Sequence, residues 1–342
     1  MRGDNATLEP VKDLLLRGAA RVAFSAPVAR VLGRRRQLGD DRGLDPQVAA
    51  VVELQRLLRL PALDSMEPPA ARRFAEEGLS PLDVAPAPMA EVIDTTVAGR
   101  TGPIPVRIFV PHGAGPHWIV YLHGGGGVIG SIRSSEPVTR LLAAQTGCTV
   151  ASVGYRLGPE DRHPAAVLDA CAAWDAMVAR AGTGGRIAVA GDSFGGFLSA
   201  HVDRAVIRHP DLQVLIYPLV DMTLTSPSID RYASGYLLTS AMMHWFRGHY
   251  LYPDDDRRAI SPQFWSDLRG SAPAIVATAG FDPLVDEGDS YAARLRDAGV
   301  VVRHHRYPSL VHGFLSLAGA VHAARAAIDE LCADIRELLA AR

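Results

Sequence analysis

Ile187-Ala188-Val189-Ala190-Gly191-Asp192-Ser193-Phe194-Gly195-Gly196 is an apolar run that stops at a serine flanked by glycines two residues before and two after. A strand ending there must turn at once into the next element, and glycine is the residue that lets backbones approach closely in so tight a turn. The serine is left at the strand end with its Oγ exposed, where a carbonyl carbon can reach it. The position would also suit an ordinary helix N-cap. Glycine at 191, 195 and 196 favours the other reading, so Ser193 is taken as a nucleophile.

Outward from this stretch, short β-branched runs recur at 91–97, 104–110, 118–123, 149–155, 186–190, 213–217, 275–279 and 300–307. From about residue 140 they alternate with helical patterns near 137–146, 164–180, 193–207, 287–297 and 320–341. That alternation specifies an α/β fold, a mostly parallel eight-stranded sheet flanked by helices on both faces. The first 85 residues read as mostly helical. One or two helices span 11–33 and precede the basic cluster Arg34, Arg35 and Arg36; others span 48–60 and 69–77. An aromatic-rich helical stretch at 232–252 interrupts the alternation and reads as a cap over the strand ends. The expected division is an N-terminal helical arm and part of the cap (1–85), a catalytic core in two parts (86–218 and 263–342), and a cap insertion (219–262).

Composition sets outer limits. Apolar residues make up 48% of the 342 and charged residues 21%, enough for a large buried core. A net charge of −2 supplies no basic field to gather nucleic acid. Cys148, Cys171 and Cys332 are scattered and odd in number, which suits core packing in a reducing compartment. His112, His117, His201 and Asp203 do not form a metal-ligand pattern, so no metal is expected. Residues 1–10 are polar and acidic where an export signal would be cationic, and charges interrupt the following apolar residues. The expectation is a cytoplasmic protein with no membrane span.

A nucleophilic serine needs a base, an acid that orients the base, and donors for the developing oxyanion. Asp282 follows the run ending at Ala279-Gly280, and His312 follows the run ending at Tyr307, so serine, acid and histidine come in the order Ser, Asp, His. Asp286 is the rival acid, but it lies farther toward the next helix, where a first-turn role is natural. His304 and His305 are neighbours in a strand and point to opposite faces, and His322 lies in the last helix pattern. Only His312 follows a strand on a loop.

Tyr121-Leu122-His123-Gly124-Gly125-Gly126-Gly127 offers three readings. Gly125-x-Gly127-x-x-Gly130 formally matches a dinucleotide fingerprint, but the next strand ends in Tyr155-Arg156 and lacks the acidic residue that would hold a ribose. A phosphate loop fails because no Gly-Lys-Ser/Thr follows. The favoured reading is an oxyanion hole made by the N–H groups of Gly125, Gly126 and Phe194. His123 is read as fixing that loop through backbone hydrogen bonds.

Together, His123-Gly124-Gly125-Gly126, Tyr155-Arg156-Leu157-Gly158-Pro159-Glu160, His163-Pro164-Ala165-Ala166, Gly191-Asp192-Ser193-Phe194-Gly195-Gly196, Asp282-Pro283-Leu284-Val285-Asp286-Glu287 and His312-Gly313-Phe314 resemble the bacterial hormone-sensitive lipase family of α/β-hydrolase esterases, over roughly residues 44–340. The resemblance implies the α/β-hydrolase fold with a helical cap. It also implies a cofactor-free carboxylesterase for short to medium acyl esters, with Ser193, Asp282 and His312 as triad. By analogy alone it suggests a homodimer through a sheet edge. Amide or lactone hydrolysis would need the same residues. A non-catalytic ligand receptor on this fold would instead show a broken triad.

Three positions depart from the family pattern. Phe194 stands where alanine is usual, Gly127 where a bulky residue is common, and Gly158 where alanine is usual, the last reading as harmless. Gly127 is expected to widen the cleft and Phe194 to add bulk near it. The candidate substrate pocket is Gly127, Val128, Tyr236, Leu238, Phe246 and Phe314.

Overall fold

The computed structural model describes residues 25–37, 43–78 and 82–341. The strands are β1 (Glu91–Ala98), β2 (Pro103–Val110), β3 (Trp118–Leu122), β4 (Thr149–Val153), β5 (Ile187–Asp192), β6 (Leu212–Ile216), β7 (Ala274–Phe281) and β8 (Val302–Val311). They form one sheet in the order β1-β2-β4-β3-β5-β6-β7-β8. β2 runs antiparallel to both neighbours, and every pair from β4 onward is parallel. All five residues of β4 and of β6 are buried. Helices on both faces remove the need for polar alternation, which is why these strands are mostly apolar, with Thr149, Ser152 and Gln213 buried among the rest.

Alternate residues feed two cores. Ile119, Tyr121, Val150, Ala188 and Val214 face α4 (Ile132–Thr146) and α10 (His322–Ala340), packing with Leu142, Ile328 and Leu331. Val120, Leu122, Ala151 and Val189 face α5 (Ala165–Ala181) and α6 (Phe194–Ala205), packing with Trp174, Phe197 and Leu198. α9 (Val285–Asp297) covers the far end of the sheet through Tyr291 and Leu295.

The N-terminal helices are α1 (Ala26–Gln37), α2 (Pro46–Leu57) and α3 (Pro68–Gly78); residues 11–24 of the first helical pattern lie outside the described residues. α1 runs through Arg34–Arg36 instead of ending before them. α4 begins five residues before the expected start, because Ser131 and Ser134 form a capping box ahead of Pro137, which therefore sits inside the helix. The stretch 232–252 is only partly helical. A short α7 (Pro227–Arg231) precedes it, Gly235 takes φ +89°, and α8 (Ser240–Tyr250) starts where the Thr239 side chain accepts from Met242 N at 3.1 Å.

Candidate active site

β5 ends at Asp192 and α6 begins at Phe194, so Ser193 makes the whole turn, with φ 55° and ψ −116°. A non-glycine residue held there stores strain, tolerated where the surroundings fix it. They do: a Cβ on Gly195 would lie 1.8 Å from Leu122 O, so nothing larger than glycine fits the crossing. Ser193 occupies the N-cap position of α6 but makes no side-chain cap bond. Its Oγ lies 2.9 Å from His312 Nε2 instead.

His312 follows β8, and its Nδ1 lies 2.8 Å from Oδ2 of Asp282, which follows β7 and is 1% exposed. The other carboxylate oxygen of Asp282 accepts from Leu284 N at 2.8 Å. A carboxylate accepts, so Nδ1 carries the hydrogen and Nε2 is left to take one from Ser193. The rivals are engaged elsewhere. Asp286 accepts from Arg231 at 2.6 Å, His304 pairs with Asp289 at 2.9 Å, and His305 pairs with Asp334 at 2.7 Å.

On the glycine-rich loop, His123 Nδ1 lies 2.8 Å from Gly124 O, its ring stacks on Tyr155, and burial pushes its pKa down to about 4. A ring with so low an affinity for a proton, its Nδ1 held on a backbone carbonyl, is suited to fixing the loop and not to serving as a second base. Among the described residues, the N–H groups of Gly125, Gly126 and Phe194 have no acceptor. They are available to a ligand beside Ser193.

Ser193, His312, Gly125 and Gly126 open onto a cavity of about 1260 Å³ with a largely apolar wall: Leu219, Met222, Leu224, Leu238, Met243 and Phe246. Tyr236, Leu238 and Phe246 line it as expected, whereas Gly127, Val128 and Phe314 do not. Phe314 is fully buried and packs edge-on against Tyr217 and Tyr307. Val128 is fully buried in the core between sheet and helices. Gly127 does not widen the cleft, because a Cβ there would lie 2.7 Å from the Tyr250 ring and 2.8 Å from the Phe194 ring. Phe194 is itself fully buried, packed on Phe197 and Tyr250 instead of projecting into the cavity. Gly158 is not a neutral replacement either, since a Cβ would lie 2.6 Å from His249 O at the end of α8.

A family model described as the alpha/beta hydrolase fold matches residues 119–316, more than half of the chain. The chain belongs to the α/β-hydrolase family. It is 36% identical to the carboxylic ester hydrolase LipN of Mycobacterium tuberculosis, over 91% of this chain and 87% of that protein. It is also 36% identical to an ethyl acetate hydrolase of Pseudomonas putida, over 82% of this chain and 95% of the relative. Among solved structures, an alpha/beta hydrolase enzyme from the metagenome of Lake Arreo, Spain, superposes with a TM-score of 0.82 at 34% identity, covering 86% of this chain and 98% of that one. The thermophilic carboxylesterase EstE1, from a metagenomic library, gives 0.76 at 37% identity, covering 81% and 99%. Within the α/β hydrolases the chain stands with the hormone-sensitive lipase type.

Several residues that organise the site of this hydrolase escape a motif reading. Asp192, inside the serine motif, takes Gly124 N at 2.9 Å and the Tyr121 hydroxyl at 2.7 Å on one oxygen, tying the glycine loop to the serine turn. Burial raises its pKa against the pull of those donors and of His312. Tyr217, at φ +36°, sets its ring 4.7 Å from the His312 ring and its hydroxyl 3.4 Å from Asp192. Glu287, 1% exposed, accepts from Val220 N at 2.7 Å and Asp221 N at 3.0 Å, anchoring the segment that leaves β6. Asp192 and Glu287 lie within motifs already singled out, but nothing in their spacing says what they bond; Tyr217 carries no sequence signal. Among the described residues, no group of three or more His, Cys, Asp or Glu side chains could hold a metal, and no helix is long and apolar enough to cross a membrane.

Proposed function

We propose that this hydrolase is a serine carboxylesterase acting on small-molecule esters with short to medium acyl groups. The observation that carries the reading is the relay from Ser193 Oγ through His312 to Asp282, with contacts of 2.9 and 2.8 Å, on the wall of a mostly apolar cavity. As Oγ forms its bond to the ester carbonyl carbon, Nε2 of His312 takes the hydroxyl proton, and buried Asp282 stabilises the resulting imidazolium. The carbonyl oxygen becomes an oxyanion that accepts from the N–H groups of Gly125, Gly126 and Phe194. His312 gives the proton to the departing alkoxide, and water, deprotonated by the same ring, releases the acid from Ser193. The N-terminal helices and residues 219–262 act as a cap: α2, α3 and the stretch from 233 through α8 all contribute to the cavity wall.

The decisive test is Ser193→Ala. Its kcat on p-nitrophenyl acetate should fall by about 10⁴-fold or more, and a fluorophosphonate should label the parent at Ser193 and leave the variant unlabelled. Activity retained in the variant would reject Ser193 as nucleophile.

A further inference from the structure

We propose that α3 is the strut that holds the oxyanion loop in its working geometry, with Arg72 and Glu76 as positioning residues. The inference rests on the esterase reading above and assigns a role within that site.

The glycine loop has little means of holding its own shape. Gly125, Gly126 and Gly127 all take positive φ, and a glycine-rich chain loses more conformational freedom on ordering than any other. Its internal backbone ties are Val128 N and Ile129 N to Gly125 O, and Gly158 N to Gly127 O at 2.7 Å ties it to the next segment. The N–H groups proposed as oxyanion donors must stay unbonded, so the restraint has to come through carbonyls and side chains nearby.

Asp192 supplies it at Gly124, the start of the loop, and α3 supplies it beyond Gly127, from outside the sheet. Arg72 and Glu76 are four residues apart and so share one helix face. Arg72 Nε donates to Val128 O at 2.8 Å and Nη2 to Gly158 O at 2.8 Å, gripping the loop and the segment it leans on with one guanidinium. The same guanidinium is fixed by a two-pronged contact with Glu160, at 2.9 and 2.6 Å. One turn later, Glu76 accepts from Ser131 Oγ at 2.6 Å, where the loop passes into α4. The strut therefore meets the chain on both sides of Ile129. Ala75 and Glu76 also line the cavity, so the helix that restrains the donors is itself part of the substrate wall.

A strut of this kind acts on the transition state, in which the oxyanion forms, more than on the bound ester. Arg72→Met keeps the stem and removes all four bonds, and Glu76→Ala removes the Ser131 tie alone. In each, kcat should fall, by about 10- to 100-fold for Arg72→Met, with KM within about twofold. Affinity for a trifluoromethyl ketone, which forms a tetrahedral adduct on serine, should fall in step with kcat, while the matching methyl ketone should bind as before. Glu76→Gln keeps an acceptor for Ser131 and should restore the parent rate. Parent-like kcat in folded Arg72→Met and Glu76→Ala, or a loss carried by KM and the methyl ketone alike, would overturn the proposal. Should Arg72→Met fail to fold, the Glu76 pair decides. Fluorophosphonate labelling of the parent keeps the two claims apart: a parent that is not labelled rejects the esterase reading itself, whereas equal labelling rates in parent and variants reject only the strut.

Discussion

The rings of Phe194 and Tyr250 occupy the space that a side chain at 127 would enter, so the two departures from the family pattern at 127 and 194 form one packing unit. Bulk has moved from the loop to the first residue of α6. Gly127→Phe should therefore destabilise the fold by about 1–3 kcal/mol through overpacking, with added cost from φ +73°, instead of shortening the acyl chains accepted. A thermal melt beside a chain-length profile checks this, and an unchanged melting temperature with a narrowed profile would restore the simpler reading. Phe194→Ala should cost about 3–5 kcal/mol, since the ring is fully buried. Tyr250 is the opposite case: its buried hydroxyl has no partner among the described residues, so Tyr250→Phe should leave stability equal or raise it by about 1 kcal/mol. At this scale the sequence was legible where chemistry constrains residue type, as at Ser193, Asp282 and His312, whose contacts are 2.9 and 2.8 Å. It was not legible at 127, because the emptiness or fullness of a site is set by Phe194 and Tyr250 from other parts of the chain.

Elements were legible in proportion to their periodicity. The central parallel strands stood out because each is rich in apolar residues, broken only at scattered positions such as Ser152 and Gln213, but the edges of α4 and α8 depended on cap bonds made by Ser131, Ser134 and Thr239, which hydrophobic spacing does not encode. The tie between α9 and the segment after β6 is of the same kind, and it is testable by pH. Burial raises the Glu287 carboxyl well above its ordinary 4.5, ahead of the opposing pull of the Val220 N–H, while Oε2 has no partner among the described residues. The folded state therefore holds a proton that the unfolded chain releases as pH passes 4.5. Stability present below that pH is lost as pH rises above it, by at most about 1.4 kcal/mol per pH unit until the folded-state value is reached. Glu287→Gln keeps a carbonyl for Val220 N and Asp221 N and removes the titration. The difference in unfolding free energy, variant minus parent, should grow in the variant's favour above pH 4.5 in urea melts at stepped pH. A constant difference from pH 4.5 to 8 would show that Glu287 is ionised in the fold.

For the molecule as a whole, the alternation of strands and helices specified the sheet, but not how the N-terminal helices join it. They join through the same core. Val48, Ala49 and Val52 of α2 pack in one cluster with Leu315 and Leu317, just after His312. The seam is closed by Gln47, which is 6% exposed: its Nε2 donates to Ala320 O at 2.9 Å, and its Oε1 accepts from His322 N at 2.9 Å, across 273 and 275 residues of chain. Helix α10 starts after Val321, which offers no side-chain cap, so an N–H orphaned at its first turn is satisfied from the opposite end of the sequence. A glutamine in an amphipathic pattern carries no sign of such a role. Gln47→Ala leaves the buried Ala320 O without this donor and the half-buried His322 N–H without its acceptor, and should cost about 1–2 kcal/mol. Because α2 and α10 share one core, parent and variant should each unfold in a single transition, the variant at lower denaturant with an unchanged slope. An early transition confined to the N-terminal helices, seen by hydrogen exchange across 46–57 while the sheet stays protected, would mean that the cavity wall is a separate unit.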